Sequence, residues 1–375
     1  MRGQWLLASL IGLATLFFAL SIVRWLAPGL LGIPPDLRIV RVAEEKPAFY
    51  ENIFRAEHEG VDGILLTDPI VGVRARPLLA RTPDGLAGPT DLLGFRNAGV
   101  PNRADVIVIG DSQTYGNNAT LEQSWPQRLA GSLGGGHRLY AMATGGWGAV
   151  QYWDAFHNAL AFEPRVIVVA FYAGNDPMES FRLAYALDHW RELRPDPELD
   201  VDDAPREPPG DGWLGWNTSL PGGIDLRFTP GRRLYSLQDH PTTNAGWEIM
   251  AAVGERMAAR AEEGGIALVL TLIPTKERVF APLLAREGIA VPEPFAELVA
   301  AERRREAALA ERLGALPAVT WVDVASPLEQ AVARGQRTHR LDGDGHPVPA
   351  GYALIARAVA PAARAGLGDR SRAAP

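Results

Sequence analysis

The chain has 375 residues, 47% hydrophobic and 22% charged, enough to bury one large α/β domain with insertions, or two domains. A formal net charge of -7 leaves no basic surplus to neutralise phosphates, which argues against a nucleic-acid partner. With no cysteine, disulfides, thiolate metal sites and cysteine nucleophiles are excluded.

The first predicted element is apolar. Trp5–Val23 holds nineteen residues without a charge, and as a helix it spans about 28 Å, close to the hydrocarbon core of a bilayer. Trp5 and Trp25 bracket it like interfacial anchors. A cleaved signal peptide is the competing reading, but the run exceeds a usual h-region and no small-x-small site follows. An uncleaved transmembrane anchor is therefore expected. Arg24, Arg38 and Arg41 outnumber Arg2 on the other side, so Lys/Arg counting leans against export. The short N-terminal tail is nevertheless the poorer candidate for translocation, and the large domain is expected on the extracytoplasmic (periplasmic) side.

Ala27–Pro35 reads as a stiff, turn-rich stalk, and 36–103 as a mixed lead-in that packs on the main domain. From Ala104 strands alternate with helices. Apolar runs without polar alternation occur at Val106–Ile109, Leu139–Ala143, Val166–Phe171, Ile266–Ile273 and Val319–Val324, the pattern of strands covered on both faces. Helical patterns lie at Ser124–Leu133, Ala149–Phe162, Ala245–Glu263, Phe295–Leu313 and Pro349–Ala360, the last expected to stop at Pro361. This order predicts an α/β fold: a doubly wound, flavodoxin-like parallel sheet of about five strands with flanking helices. Phe181–Asn244 breaks the rhythm, being rich in Pro, Gly and Asp with Trp190, Trp213 and Trp216, and reads as an insertion beside the site. The expected organisation is an anchor over 1–27, a stalk and lead-in over 28–103, the main domain over 104–366 with an insertion at 181–244, and a disordered tail over 367–375.

Ligands of parallel sheets bind at the carboxyl ends of the strands. There the chain carries Gly110-Asp111-Ser112, Thr144-Gly145-Gly146-Trp147-Gly148, Tyr172-Ala173-Gly174-Asn175-Asp176 and, after the last strand, Leu341–Pro347 with Asp342, Asp344 and His346. A serine hydroxyl becomes a nucleophile when a base takes its proton. His346 can be that base, with a carboxylate holding its other ring nitrogen. The backbone N–H groups of Ser112 and Gly146 and the Asn175 amide are suitable oxyanion donors, each worth about 3 kcal/mol in the transition state. Singly, each cluster reads as an ordinary turn or helix cap. Four of them, at strand ends or in the loops that follow, do not.

Together these blocks resemble the signature blocks of the SGNH (GDSL-like) hydrolase family: GDSQTYG for serine, GGWG for glycine, AGND for asparagine and DGHPVPAGY for histidine. The resemblance covers about Ala104 to Ala360 without the insertion. It implies the SGNH hydrolase fold, a catalytic Ser112, Asp344 and His346, an oxyanion hole from Ser112, Gly146 and Asn175, and no metal or organic cofactor. There are two departures. Position 343 is glycine where the family's commonest pattern has aspartate, so the acid is Asp344, with Asp342 as the alternative. Ala141 replaces the asparagine that usually precedes the glycine block, which weakens the choice of Gly146 over Gly145. The spacing of Asp344 and His346, and Pro274-Thr275-Lys276, resemble a membrane-associated branch that acts on envelope polysaccharides. The expected activity is a serine esterase on acyl esters, with O-acetyl groups of an envelope glycan as the substrate class. The alternatives are an O-acetyltransferase using the same triad and a non-catalytic polysaccharide-binding module. The insertion's tryptophans are read either as sugar-stacking platforms or as a local aromatic core. The sequons at Asn118 and Asn217 are chance-level motifs.

Overall fold

The computed structural model describes residues 65–134, 136–205 and 215–368. The expected anchor, the stalk and Trp213 lie outside them, and among the described residues no helix is long and apolar enough to cross a membrane.

The lead-in opens with an antiparallel hairpin, β1 (Leu65–Asp68) and β2 (Gly72–Ala75). The main domain then alternates. β3 (Val106–Gly110) runs into the one-turn helix α1 (Ser112–Tyr115), followed by α2 (Trp125–Leu133). β4 (Leu139–Ala143), α3 (Ala149–Ala159), β5 (Val166–Tyr172) and α4 (Asp176–Ala186) come next. A second hairpin, β6 (Trp216–Leu220) with β7 (Ile224–Phe228), leads through α5 (Pro230–Leu234) to α6 (Pro241–Glu263). β8 (Ala267–Ile273), α7 (Lys276–Arg286), α8 (Glu293–Gly314), β9 (Val319–Val322), α9 (Ala325–Ala333) and α10 (Pro349–Gly368) complete the chain.

The main sheet has the order β4-β3-β5-β8-β9 and is parallel throughout, so the expected doubly wound fold is present. Every residue of β3 and β5 is buried, which is why neither strand alternates apolar with polar side chains. Helices α2, α9 and α10 cover one face, and α3, α6 and α8 the other. Fully buried side chains such as Ile107, Phe156, Phe171 and Ile355 each contribute roughly 1.5–3 kcal/mol of burial. Register then fixes the site. Gly110 pairs with both Ala143 and Ala170, so β3 and β4 end level, β5 runs two residues further to Tyr172, and their polar loops emerge side by side.

Three expectations are corrected, and the content of the insertion, left open by the sequence, is filled in. Helix α10 passes through Pro361 and ends at Gly368. Pro361 and Arg357, whose carbonyl loses its partner, both face solvent, while Ala363 and Leu367 beyond them stay buried. The start of the supposed tail is thus part of the core. The insertion is largely built structure: α4 crosses into it, the β6–β7 hairpin and α5 fill its second half, and α6 begins before its end. Helices α7 and α9 were not expected, because Pro282 interrupts the pattern of α7 and α9 is only nine residues long. Finally, β9 stops at Val322 because Asp323 turns the chain, its Oδ1 accepting from the N–H groups of Ala325 and Ser326.

The tightest helix contact is at Gly246 of α6, where an added Cβ would lie 1.9 Å from the Pro177 carbonyl oxygen of α4. Backbone cannot yield as a side chain does. Gly246→Ala is expected to cost about 2 kcal/mol or more in urea unfolding, whereas Gly131→Ala, which meets nothing within 4 Å, should cost none.

Candidate active site

The turn after β3 is built around glycine. A Cβ on Gly110 would lie 2.1 Å from Thr114 Oγ1, so only glycine lets α1 fold back over the strand end. Asp111 caps α1 through Oδ1, which accepts from the Gln113 N–H at 2.9 Å. Gly116 closes the helix in the left-handed region at φ 88. Arg96 of the lead-in, almost fully buried, donates to the carbonyls of Tyr115, Gly116 and Ala119 and to those of Gly85 and Gly88. One guanidinium therefore ties the lead-in to the far end of the turn that presents Ser112.

Ser112 Oγ lies 2.8 Å from His346 Nε2, and His346 Nδ1 lies 2.7 Å from Asp344 Oδ1. With Nδ1–H donating to the carboxylate, Nε2 is left to accept the serine proton. Asp344 Oδ1 also accepts from the His346 backbone N–H, and Oδ2 from the Asn118 amide at 2.9 Å. Burial would raise this carboxyl, but the facing imidazole and these hydrogen bonds outweigh it and hold Asp344 well below the usual carboxylate range. Asp342 is turned away. Its Oδ2 pairs with Arg340, and its Oδ1 caps the loop by accepting from the Asp344 N–H. Of the two acids left open by the sequence, Asp344 is the one in contact with His346.

Beneath the serine lie two buried carboxylates. Asp111 Oδ2 lies 3.2 Å from Ser112 Oγ, and burial pushes Asp111 up to about 6. Asp176, first residue of α4, accepts from the Tyr152 hydroxyl and the Tyr172 N–H, both at 2.8 Å. Burial, reinforced by the Asp111 charge, pushes Asp176 well above the carboxylate range.

The expected oxyanion donors border the same space. Ser112, Gly145, Gly146 and Asn175 all line a cavity of about 660 Å³ with His346 and Asp344. Gly146 sits at φ 74, a conformation that favours glycine, and Gly145 shows no such positive φ. Trp147 pins that turn by donating its indole N–H to the Val73 carbonyl at 2.8 Å. Asn175 precedes α4 and makes no side-chain capping bond; its carbonyl accepts from the Glu179 N–H instead. Among the described residues no group of three or more His, Asp or Glu side chains is placed to hold a metal ion.

Several contributors were invisible in the sequence. Leu65, Ala75, Leu86 and Ala87 of the lead-in and Arg233 of the insertion line the cavity. The insertion also braces the histidine loop: the Arg227 N–H of β7 donates to the Leu341 carbonyl at 2.8 Å. Buried Lys276 donates to the carbonyls of Arg227 and Asp342, and burial pushes it down to about 8. Asn118, at φ 65 and bonded to Asp344, is a structural residue of the site. Trp190 donates to the Ile70 carbonyl and Trp216 stacks on Phe228, 5.5 Å between ring centroids. Neither borders the cavity, so both belong to the aromatic-core reading.

A half-buried serine at the cavity wall, an imidazole and a carboxylate in one hydrogen-bonded line, at the carboxyl ends of a doubly wound sheet, define a serine-type acyl hydrolase site. Residues 108–354 match the model of the GDSL-like lipase/acylhydrolase family, and the chain belongs to that family. It is an ester-hydrolysing enzyme. Among solved structures it is similar to a GDSL-like lipase from Bacteroides thetaiotaomicron VPI-5482, with 13% identity, 69% of this chain and 87% of that chain covered, and a TM-score of 0.36. It is also similar to a catalytic mutant of Axe2, an acetylxylan esterase from Geobacillus stearothermophilus, with 12% identity, 69% and 94% covered, and a TM-score of 0.40. No curated protein sequence matches the chain.

Two measurements probe this site. Asp344→Asn should lower kcat on a short acyl ester by about 10³-fold or more, and Asp342→Asn by less than about tenfold. Asp111, raised above the ordinary carboxylate value, favours folding below about pH 4 and costs stability as pH rises through about 6. Asp111→Asn keeps the cap, so its stability relative to the parent should improve by about 1–3 kcal/mol between pH 4 and 7.5 in urea unfolding.

Proposed function

We propose that the protein is a serine esterase that removes acyl groups, O-acetyl in particular, from a glycan of the cell envelope, held at the extracytoplasmic membrane surface by its N-terminal segment. The observation that carries the catalytic part is the continuous line Ser112–His346–Asp344, with contacts of 2.8 and 2.7 Å. The apolar run Trp5–Val23 supports the anchor, and the resemblance of the Asp344–His346 spacing to the envelope-polysaccharide branch supports the substrate class.

In this reading Ser112 Oγ attacks the ester carbonyl while His346 Nε2 takes its proton. Negative charge moves onto the carbonyl oxygen, towards the N–H groups of Ser112 and Gly146 and the Asn175 amide. Asp344 stabilises the imidazolium. Collapse expels the alcohol, which leaves with the proton from His346. Water, deprotonated by the same imidazole, then hydrolyses the acyl-serine and regenerates the hydroxyl.

Ser112→Ala should lower turnover of 4-nitrophenyl acetate by about five orders of magnitude and abolish labelling by a fluorophosphonate probe. Full retention of either would reject the serine mechanism. Release of acetate from an O-acetylated envelope glycan tests the substrate, and transfer to a second sugar without free acetate would favour the transferase alternative.

A further inference from the structure

Asn117 Nδ2 lies 3.4 Å from His346 Nε2, the nitrogen that also meets Ser112 Oγ at 2.8 Å. Its backbone is engaged elsewhere: the N–H donates to the Ser112 carbonyl, and the carbonyl accepts from the Tyr352 hydroxyl of α10 at 2.8 Å. The residue is thereby pinned, while its half-buried side chain lines the cavity. Among the described residues that side chain makes no hydrogen-bond contact other than the one with Nε2. A carboxamide carries two N–H donors and an acceptor oxygen, so a single contact leaves it capacity for a molecule in the cavity.

Reaction geometry decides which atom of a substrate meets this amide. Once Nε2 has taken the serine proton it must pass it to the departing oxygen, which therefore comes within about 3 Å of Nε2. The carbonyl oxygen of the ester turns instead towards the donors on the loops after β4 and β5. An oxygen that leaves beside Nε2 leaves beside Asn117. We infer that Asn117 is a further catalytic residue, whose amide N–H donates to the departing oxygen of the ester. As the bond from the acyl carbon to that oxygen breaks, the electron pair stays on the oxygen, which receives the proton from Nε2 and the hydrogen bond from Nδ2. In deacylation water occupies the same place. Its oxygen bonds to the acyl carbon, one of its protons passes to Nε2, and that proton moves to Ser112 Oγ as the acyl–serine bond breaks.

This role rests on the esterase reading and deepens it. A side chain that merely propped the His346 ring would slow every ester by the same factor. A donor to the departing oxygen matters most where that oxygen is most basic, as in an acylated sugar, because more negative charge gathers there as the bond breaks.

The test uses the full chain and two acetate esters that form the same acetyl-serine, so that their kcat/KM values differ only through acylation. In 4-nitrophenyl acetate the leaving group departs without help, whereas 2-methoxyethyl acetate must release a basic alkoxide, as a sugar acetate does. The readout is the ratio of kcat/KM for the methoxyethyl over the nitrophenyl ester. Asn117→Leu should lower that ratio about tenfold. Asn117→Gln, which keeps the carboxamide, should recover part of it. A ratio within about twofold of the parent in Asn117→Leu, whether or not both rates fall together, overturns the role. If Asn117→Leu does not fold, Asn117→Ala takes its place, and a parental ratio there overturns the role equally. Turnover of the nitrophenyl ester alone by the parent would mean that no basic leaving group is assisted, and removes the role while the esterase reading stands. If the parent releases acetate from neither ester, the esterase reading falls and the role with it.

Discussion

A hydrogen bond of 2.8 Å joins Ser112 to His346 across 234 positions of chain, and much of the architecture serves to hold its two ends still. The serine end is set by the parallel register of β3 between β4 and β5, because a glycine-tight turn on a fully buried strand has little freedom. The histidine end has no strand beneath it. Residues 341–346 form a loop, and that loop is held by the β7 edge, by Lys276 and by Asp342 acting as its internal cap. A loop placed this way can keep a distance to a few tenths of an ångström only while all its polar atoms are satisfied, which is why so many of its partners are buried.

This arrangement buries charge. Arg96 is held by carbonyl oxygens and the face of the Tyr115 ring, Lys276 is pushed down by burial, and Asp111 and Asp176 sit close enough that one charge raises the other. Each such group opposes folding unless its hydrogen bonds are complete. The apolar sheet, with β3 and β5 sealed on both faces, offsets these costs.

The lead-in and the insertion take a larger part than their composition suggests. One forms a wall of the cavity and grips α1 through Arg96; the other supplies Arg233 and the edge that carries the histidine loop. Their apolar patterns are short, such as Ile224-Asp225-Leu226-Arg227-Phe228 in β7, and both segments are also tied down by single anchors such as Trp147 to Val73 and Trp190 to Ile70. Isolated long-range bonds leave no repeat in the order of residues.

The order of residues was enough to specify the five strands, their doubly wound arrangement, Ser112 and His346, and a choice of two acids, Asp344 and Asp342, together with the glycine and asparagine turns expected beside them. Buried parallel strands write themselves as unbroken apolar runs, and catalytic turns need side chains of particular types at fixed offsets. Three-dimensional packing settled that α10 continues past Pro361, that Asp344 and not Asp342 faces the imidazole, and that Arg233 and Tyr172 share the cavity wall. Those outcomes depend on which way a side chain points and on what packs against it. Such directions are set by contacts between segments far apart in the chain, and no local pattern encodes them.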